Sequence, residues 1–125
     1  MSGMAKMILV TDDEPHIVKI LENRLKKSGY EVRTAHSGES ALGEIKKEKP
    51  DLMILDVIMP PPNGYQLCRM LKEDPNYKDI PIILLTAKAS ESDQFWGMES
   101  GANAYITKPY DPEDLLGRVR EFLGG

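Results

Sequence analysis

Met7-Ile8-Leu9-Val10-Thr11-Asp12-Asp13-Glu14-Pro15 runs from a short apolar segment straight into three acids and a proline. Four consecutive apolar residues without alternation read as a strand buried on both faces. Pro15 suits the first turn of a helix, where its missing N–H has no partner to lose. Ile17, Ile20, Leu21 and Leu25 then recur at helical spacing. A buried strand, an acidic turn and a helix make one β-α step, and the same alternation continues along the chain.

Gly29 closes the first helix, and Val32 to Ala35 reads as a second strand. Ala41, Leu42 and Ile45 mark a second helix, whose tail Lys46-Lys47-Glu48-Lys49 is a solvated face. Leu52 to Leu55 is a third strand with Asp56 at its carboxyl end. The loop Pro60-Pro61-Pro62-Asn63-Gly64 leads into a helix carrying Leu67, Cys68 and Leu71. Ile82-Ile83-Leu84-Leu85 is a fourth strand ending at Thr86. Residues 90–100 read as a shorter helix capped by Gly101, and Ala104 to Thr107 as a fifth strand. Asp111-Pro112-Glu113-Asp114 combines a capping side chain, a proline at the first helical position and acids in the first turn. Leu115, Leu116, Val119, Phe122 and Leu123 supply that helix with an apolar face. Five β-α steps imply an α/β fold with a parallel sheet and helices on both faces.

The 125 residues suit one domain, expected over 1–125 with a core from about 6 to 123. Hydrophobic residues at 41% and charged residues at 29% exclude a disordered chain. A net charge of -4 with both signs interspersed and no basic stripe argues against direct nucleic-acid binding. No apolar run approaches the roughly 18 residues of a membrane span, and with neither an apolar h-region nor a cleavage site in the first residues no secretion signal is expected. One cysteine, Cys68, excludes an internal disulfide and fits a reducing compartment, so a cytoplasmic location is expected.

Ligands of open α/β sheets bind beyond the carboxyl ends of the strands. Asp12 and Asp13 follow the first strand there, Asp56 the third, Thr86 the fourth and Lys108 the fifth. Three carboxylates in one crevice repel each other. A hard divalent cation with oxygen ligands resolves that, and Mg²⁺ suits a few carboxylates plus waters and a phosphate. A hydroxyl and an ammonium are groups that hold phosphate oxygens, and an Asp carboxylate can itself accept a phosphoryl group. Taken singly, Asp12 and Asp13 fit helix N-terminal acids, Asp56 a turn residue, Thr86 a strand-end threonine and Lys108 a solvated lysine. Their joint placement on four strand ends favours a site.

Ile8-Leu9-Val10-Thr11-Asp12-Asp13-Glu14, Asp56-Val57-Ile58-Met59-Pro60, Asn63-Gly64, Leu85-Thr86-Ala87 and Lys108-Pro109 resemble the response regulator receiver domain from about Lys6 to Leu123. The resemblance implies a flavodoxin-like three-layer (βα)5 sandwich with strand order 2-1-3-4-5. It implies that Asp13 ligates Mg²⁺ directly and Asp12 directly or through water. Asp56 would be phosphoacceptor and metal ligand, and the Ile58 backbone carbonyl would complete the protein's share of the shell. Thr86 would hold a phosphoryl oxygen, and Lys108 would pair with Asp56 or its phosphate. Tyr105 would turn with Thr86 as a switch pair, and the Lys108-Pro109 peptide would be cis. The donor would be a sensor histidine kinase or phosphotransfer protein. The reader would be a downstream effector, reached through the surface of the fourth helix, fifth strand and fifth helix, where Trp96, Tyr105 and Arg118 are placed. The chain would be a monomer or a weak phosphorylation-dependent dimer. It would be no enzyme beyond its own phosphorylation and dephosphorylation.

Departures from the pattern are Thr11 before Asp12, the stiff Pro61-Pro62, and Asn103-Ala104 where transcription-factor receivers often carry two acids. The sequence is expected to be a stand-alone regulator or a receiver cut from a longer protein, read by another protein or by self-association. A phosphatase working through an aspartyl-phosphate, similar to haloacid-dehalogenase-like enzymes, would want a second Asp two residues after Asp56, where Ile58 stands. A degenerate receiver that only binds a partner would not need the full set Asp12, Asp13, Asp56, Thr86 and Lys108. His16 and His36 lack ligand spacing and read as surface residues. Cys68 and the seven methionines read as packing. Phe95 and Met98 are expected to face the core, with Trp96 about 100° round from Phe95. Lys88 and Ile58 are expected to flank the phosphate.

Overall fold

The structure, a computed structural model, describes residues 5–87 and 99–124. Five strands, β1 (Met7–Thr11), β2 (Glu31–Ala35), β3 (Leu52–Asp56), β4 (Ile82–Thr86) and β5 (Ala104–Thr107), form one parallel sheet in the order β2-β1-β3-β4-β5. The described helices are α1 (Pro15–Lys27), α2 (Gly38–Lys47), α3 (Gly64–Lys72) and α4 (Pro112–Leu123). The fold is the flavodoxin-like sandwich that the resemblance implies, with its strand order. The helix expected over residues 90–100 lies outside the described residues except for Glu99 and Ser100, as do Lys88, Phe95, Trp96 and Met98.

The sheet divides the core in two. Leu9, Met53, Leu55, Ile82 and Leu84 point toward α2 and α3, where Ala41, Ile45, Leu67, Cys68 and Leu71 meet them. Ile8, Val10, Ile54, Ile83 and Leu85 point the other way, toward Val18, Leu21 and Leu25 of α1 and Leu115, Leu116 and Val119 of α4. β1, β3 and β4 are therefore buried at every position, which is why they are uninterrupted apolar runs. Ile20 departs from the sequence expectation, because its side chain is 55% exposed. At 100° per residue Val18, Leu21 and Leu25 cluster on one side of α1, and Ile20 lies well over 100° round from their centre.

Local chemistry sets the helix ends. Asn63 Oδ1 accepts from Gln66 N at 2.9 Å while Gln66 Oε1 accepts from Asn63 N at 2.8 Å, a reciprocal cap that starts α3. Asp111 Oδ1 accepts from Glu113 N at 2.9 Å, and Pro112 opens α4. Gly29, with φ +97°, turns the chain from α1 toward β2. Gly64 answers a different need: a Cβ there would lie 2.5 Å from the Asp56 carbonyl oxygen and 2.7 Å from Val57 Cα. Only glycine lets α3 begin so close beneath the end of β3.

Candidate functional site

Strand register assembles the site. Thr11 pairs with Leu55, Asp56 with Leu85 and Thr86 with Thr107. The next residues, Asp12 and Lys108, therefore reach the same edge as Asp56. Lys108 is held there by its own backbone, whose N–H donates to the Thr86 carbonyl at 2.7 Å. Its Nζ lies 3.1 Å from Asp56 Oδ1 and 3.6 Å from Asp12 Oδ2.

Asp12 and Asp56 are 1% and 6% exposed, whereas Asp13 is exposed at the rim. Each of the three offers a carboxylate oxygen within 4.8 Å of the others. Desolvation raises the Asp12 carboxyl above the ordinary carboxylate range, against the pull of the Glu14 backbone N–H and of Lys108. Desolvation also raises Asp56, and the neighbouring Asp12 charge adds to it. Burial alone would lower Lys108, but the hydrogen bond to Asp56 and the charges of Asp56 and Asp12 outweigh it and hold the ammonium up.

The donor set fits a hard cation. Asp12 Oδ1 accepts from Glu14 N at 3.0 Å. Asp12 Oδ2 is buried with no hydrogen-bond partner among the described residues. A buried carboxylate oxygen left in that state is costly unless something completes it. All three members are carboxylates, the donors that Mg²⁺ prefers. Thr11 Oγ1 is a second buried oxygen without a partner among the described residues.

Around this centre, Asp13, Glu14, Asp56, Ile58, Ala87 and Lys108 line an open crevice of about 320 Å³. Ile58 stands at its mouth with 53% of its surface exposed. The loop beyond it leans on α2, because a Cβ on Gly38 would lie 2.5 Å from Pro62 Cγ. The Pro61–Pro62 and Lys108–Pro109 peptides are cis. Thr86 is buried at the end of β4, one register step beyond Asp56. Tyr105 is half-buried on β5, and its hydroxyl lies 3.3 Å from that of Tyr65 on α3. Sequence reasoning did not single out Tyr65, since nothing in its local spacing ties it to a residue 40 positions away. Arg118 is exposed on α4, while Cys68 is buried and both histidines are exposed. No described helix is long and apolar enough to cross a membrane.

A parallel five-stranded sheet with an acidic cluster and a lysine at its carboxyl edge is consistent with phosphoryl acceptance. The sequence matches the response regulator receiver domain over residues 8–120, and the chain belongs to that family. It is 45% identical over 120 residues to the alkaline phosphatase synthesis transcriptional regulatory protein PhoP of Bacillus subtilis (strain 168), covering 96% of this chain and 49% of that protein. The chain thus spans about half the length of the curated relatives it matches. A crystal structure of a candidate response regulator from Chloroflexus aurantiacus J-10-fl superposes with a TM-score of 0.91 at 41% identity, covering 98% of this chain and 100% of that one. The chemotaxis protein CheY4 of Vibrio cholerae superposes with a TM-score of 0.88 at 32% identity, covering 95% and 99%.

Proposed function

We propose that this chain is a single receiver domain, with its core from about residue 6 to 123, that accepts a phosphoryl group on Asp56 from a sensor histidine kinase or phosphotransfer protein. The observation that carries the reading is the buried Asp12–Asp56 pair, with Asp13 completing a three-carboxylate cluster and Lys108 Nζ 3.1 Å from Asp56 Oδ1. An Asp56 oxygen forms the new O–P bond while the P–N bond of a phosphohistidine breaks, and the imidazole leaves with the electron pair. Asp13, Asp12, Asp56 and the Ile58 backbone carbonyl would hold Mg²⁺, which when bound neutralises charge on the phosphoryl oxygens. Lys108 moves its hydrogen bond from the carboxylate to a phosphoryl oxygen. The Thr86 hydroxyl takes up another, and Tyr105 follows the space that Thr86 vacates. The phosphorylated state is then read on the face of β5 and α4 by a downstream effector. The shift is bounded by the differential interaction of the phosphoryl group with the two states, so it is a change of population. In this reading the domain works in the cytoplasm, without nucleic acid or membrane as a direct partner. It is a monomer or a weak phosphorylation-dependent dimer, and it catalyses only its own phosphorylation and dephosphorylation.

Incubation with acetyl phosphate and Mg²⁺ tests this. Mass spectrometry is expected to find one added phosphoryl group, absent in Asp56→Asn and absent with a chelator. Labelling that survives in Asp56→Asn overturns the acceptor, and labelling that survives chelation overturns the metal.

A further inference from the structure

The loop from Val57 to Asn63 carries Ile58 past the carboxylates and is held at both ends. Val57 N donates to the Leu85 carbonyl at 3.0 Å, and the Val57 carbonyl accepts from Met59 N and Gly64 N, each at 3.1 Å. Val57 and Met59 are buried, and the Ile58 side chain between them is exposed. At the far end the reciprocal cap of Asn63 and Gln66 fixes the entry to α3. Pro60, Pro61 and Pro62 have no N–H to give. Packing therefore has to place the middle of the loop.

Gly38, the first residue of α2, supplies that packing. A Cβ on it would lie 2.5 Å from Pro62 Cγ, 2.6 Å from the Pro62 carbonyl oxygen and 3.2 Å from Pro62 Cδ. A proline ring and a backbone carbonyl cannot swing aside as the end of a flexible side chain can. Comfortable carbon contacts begin at about 3.5 Å, so a methyl group there would drive the two segments apart by roughly 1 Å. α2 is the firmer of the two. Ala41 and Ile45 fix it in the core with Leu9 and Leu55, and Ser37 Oγ accepts from Ser40 N at 3.0 Å. The loop is what gives. The backbone does not ask for glycine, since the φ of Gly38 is not positive, and glycine is a poor helix former. The position is glycine for the room it leaves to Pro62.

We infer that Gly38 is a positioning residue for the metal site. By admitting Pro62 it sets where the loop stands, and with the loop the Ile58 backbone carbonyl that completes the set of Asp12, Asp13 and Asp56. Gly38 itself offers the ion nothing and lies 18 residues before Asp56 in the chain. Its influence passes through Pro62. Mg²⁺ tolerates little departure from octahedral geometry at about 2.0–2.1 Å, so a carbonyl carried off by a fraction of an ångström is a weaker ligand. The inference rests on the reading that the Ile58 carbonyl helps to hold Mg²⁺, and it names the residue that sets how well.

Titration with Mg²⁺ alone, followed by the amide signals of Asp13 and Val57, tests this without a phosphodonor. Gly38→Ala is expected to bind Mg²⁺ about tenfold more weakly than wild type, the scale on which groups that orient ligands act. Gly43→Ala is the control. Gly43 belongs to the same helix, but its Cβ would meet nothing within 4 Å, so its Mg²⁺ affinity should equal that of wild type. Adding Pro62→Ala to Gly38→Ala removes the ring from the clash and should return part of the lost affinity. Equal affinity in wild type and Gly38→Ala overturns the inference. So does a double variant that binds no more tightly than Gly38→Ala, or a loss in Gly43→Ala as large as that in Gly38→Ala. Reciprocity gives a measurement that needs no variant, should Gly38→Ala fail to fold. Saturating Mg²⁺ is expected to shift the Gly38 amide of wild type more than the Gly43 amide, and an unmoved Gly38 overturns the inference. Wild type that binds no Mg²⁺ overturns the metal reading and this inference with it, whereas wild type that binds normally while Gly38→Ala matches it overturns this inference alone.

Discussion

At the amino-terminal end of the sheet, Asp51 Oδ2 accepts from Met7 N at 2.8 Å while Asp51 N donates to Met7 O at 2.8 Å. Two strands along, Asn103 Oδ1 accepts from Ile82 N at 2.9 Å while Asn103 N donates to Ile82 O at 2.9 Å. The same two-bond staple fastens β3 to β1 and β5 to β4. Lys72 Nζ adds bonds to the Ile80 and Lys78 carbonyls at 2.8 and 3.1 Å, closing the approach to β4. The carboxyl end of the same strands is built the other way. There Asp12 and Asp56 are buried beside each other, and Asp12 Oδ2 and Thr11 Oγ1 have no hydrogen-bond partner among the described residues. One end uses polar side chains to finish the backbone's hydrogen bonds. The other keeps carboxylates desolvated and crowded, a state that a cation relieves. Stability and function are thus separated along one strand length.

The largest expected effect comes from Gly64→Ala. Its Cβ meets backbone under β3, so unfolding stability is expected to fall by about 3 kcal/mol and Asp56 labelling with it. A urea midpoint within error of wild type would show that α3 is not pressed against Asp56. At the stapled end, Asp51→Ala and Asn103→Ala are each expected to cost about 1–2 kcal/mol by stranding a strand-edge N–H. Labelling should be retained, and the two costs should add within about 0.5 kcal/mol. Strong coupling between them would mean that the staples are not independent.

At the functional end the sign reverses. With a chelator present, Asp12→Asn is expected to stabilise the fold at neutral pH by about 1 kcal/mol. Asp12 and Asp56 both have folded-state pKa values above the ordinary value, so the folded chain binds protons more tightly than the unfolded one. Their contribution to stability therefore rises as pH falls from neutral through those raised values, and levels off below the unfolded value of about 3.9. Asp12→Asn should flatten that rise. A thermal midpoint lower than wild type at pH 7 would show that the pair is not crowded. The smallest effect is kinetic. Ile58→Asn is expected to shorten the phosphoryl half-life severalfold, less than about 1.4 kcal/mol in the barrier, because the exposed Ile58 side chain stands at the mouth of the crevice. An unchanged or longer half-life would remove Ile58 from the path of water.

The difference between the ends also explains what the sequence disclosed. β1, β3 and β4 were legible because burial on both faces leaves an unbroken apolar run. The carboxylates were legible because each directly follows such a run. The reciprocal staples were not, since Asp51 and Asn103 look like ordinary turn residues until the register places Met7 and Ile82 opposite them. Tyr65 with Tyr105, and Gly38 with Pro62, are likewise encounters between distant segments that local spacing does not encode. Ile20 misled because its i, i+3 spacing from Ile17 was compatible with a helix while its angle pointed away from the core.

Because the order is β2-β1-β3-β4-β5, each strand after β3 is laid onto the same advancing edge. Synthesis delivers them in that sequence, amino terminus first. Lys108 arrives after the last strand, so a chain still growing on the ribosome carries Asp12 and Asp56 together before it owns the ammonium that lies 3.1 Å from one and 3.6 Å from the other. The final strand thus closes the sheet, and the residue after it brings the counter-charge.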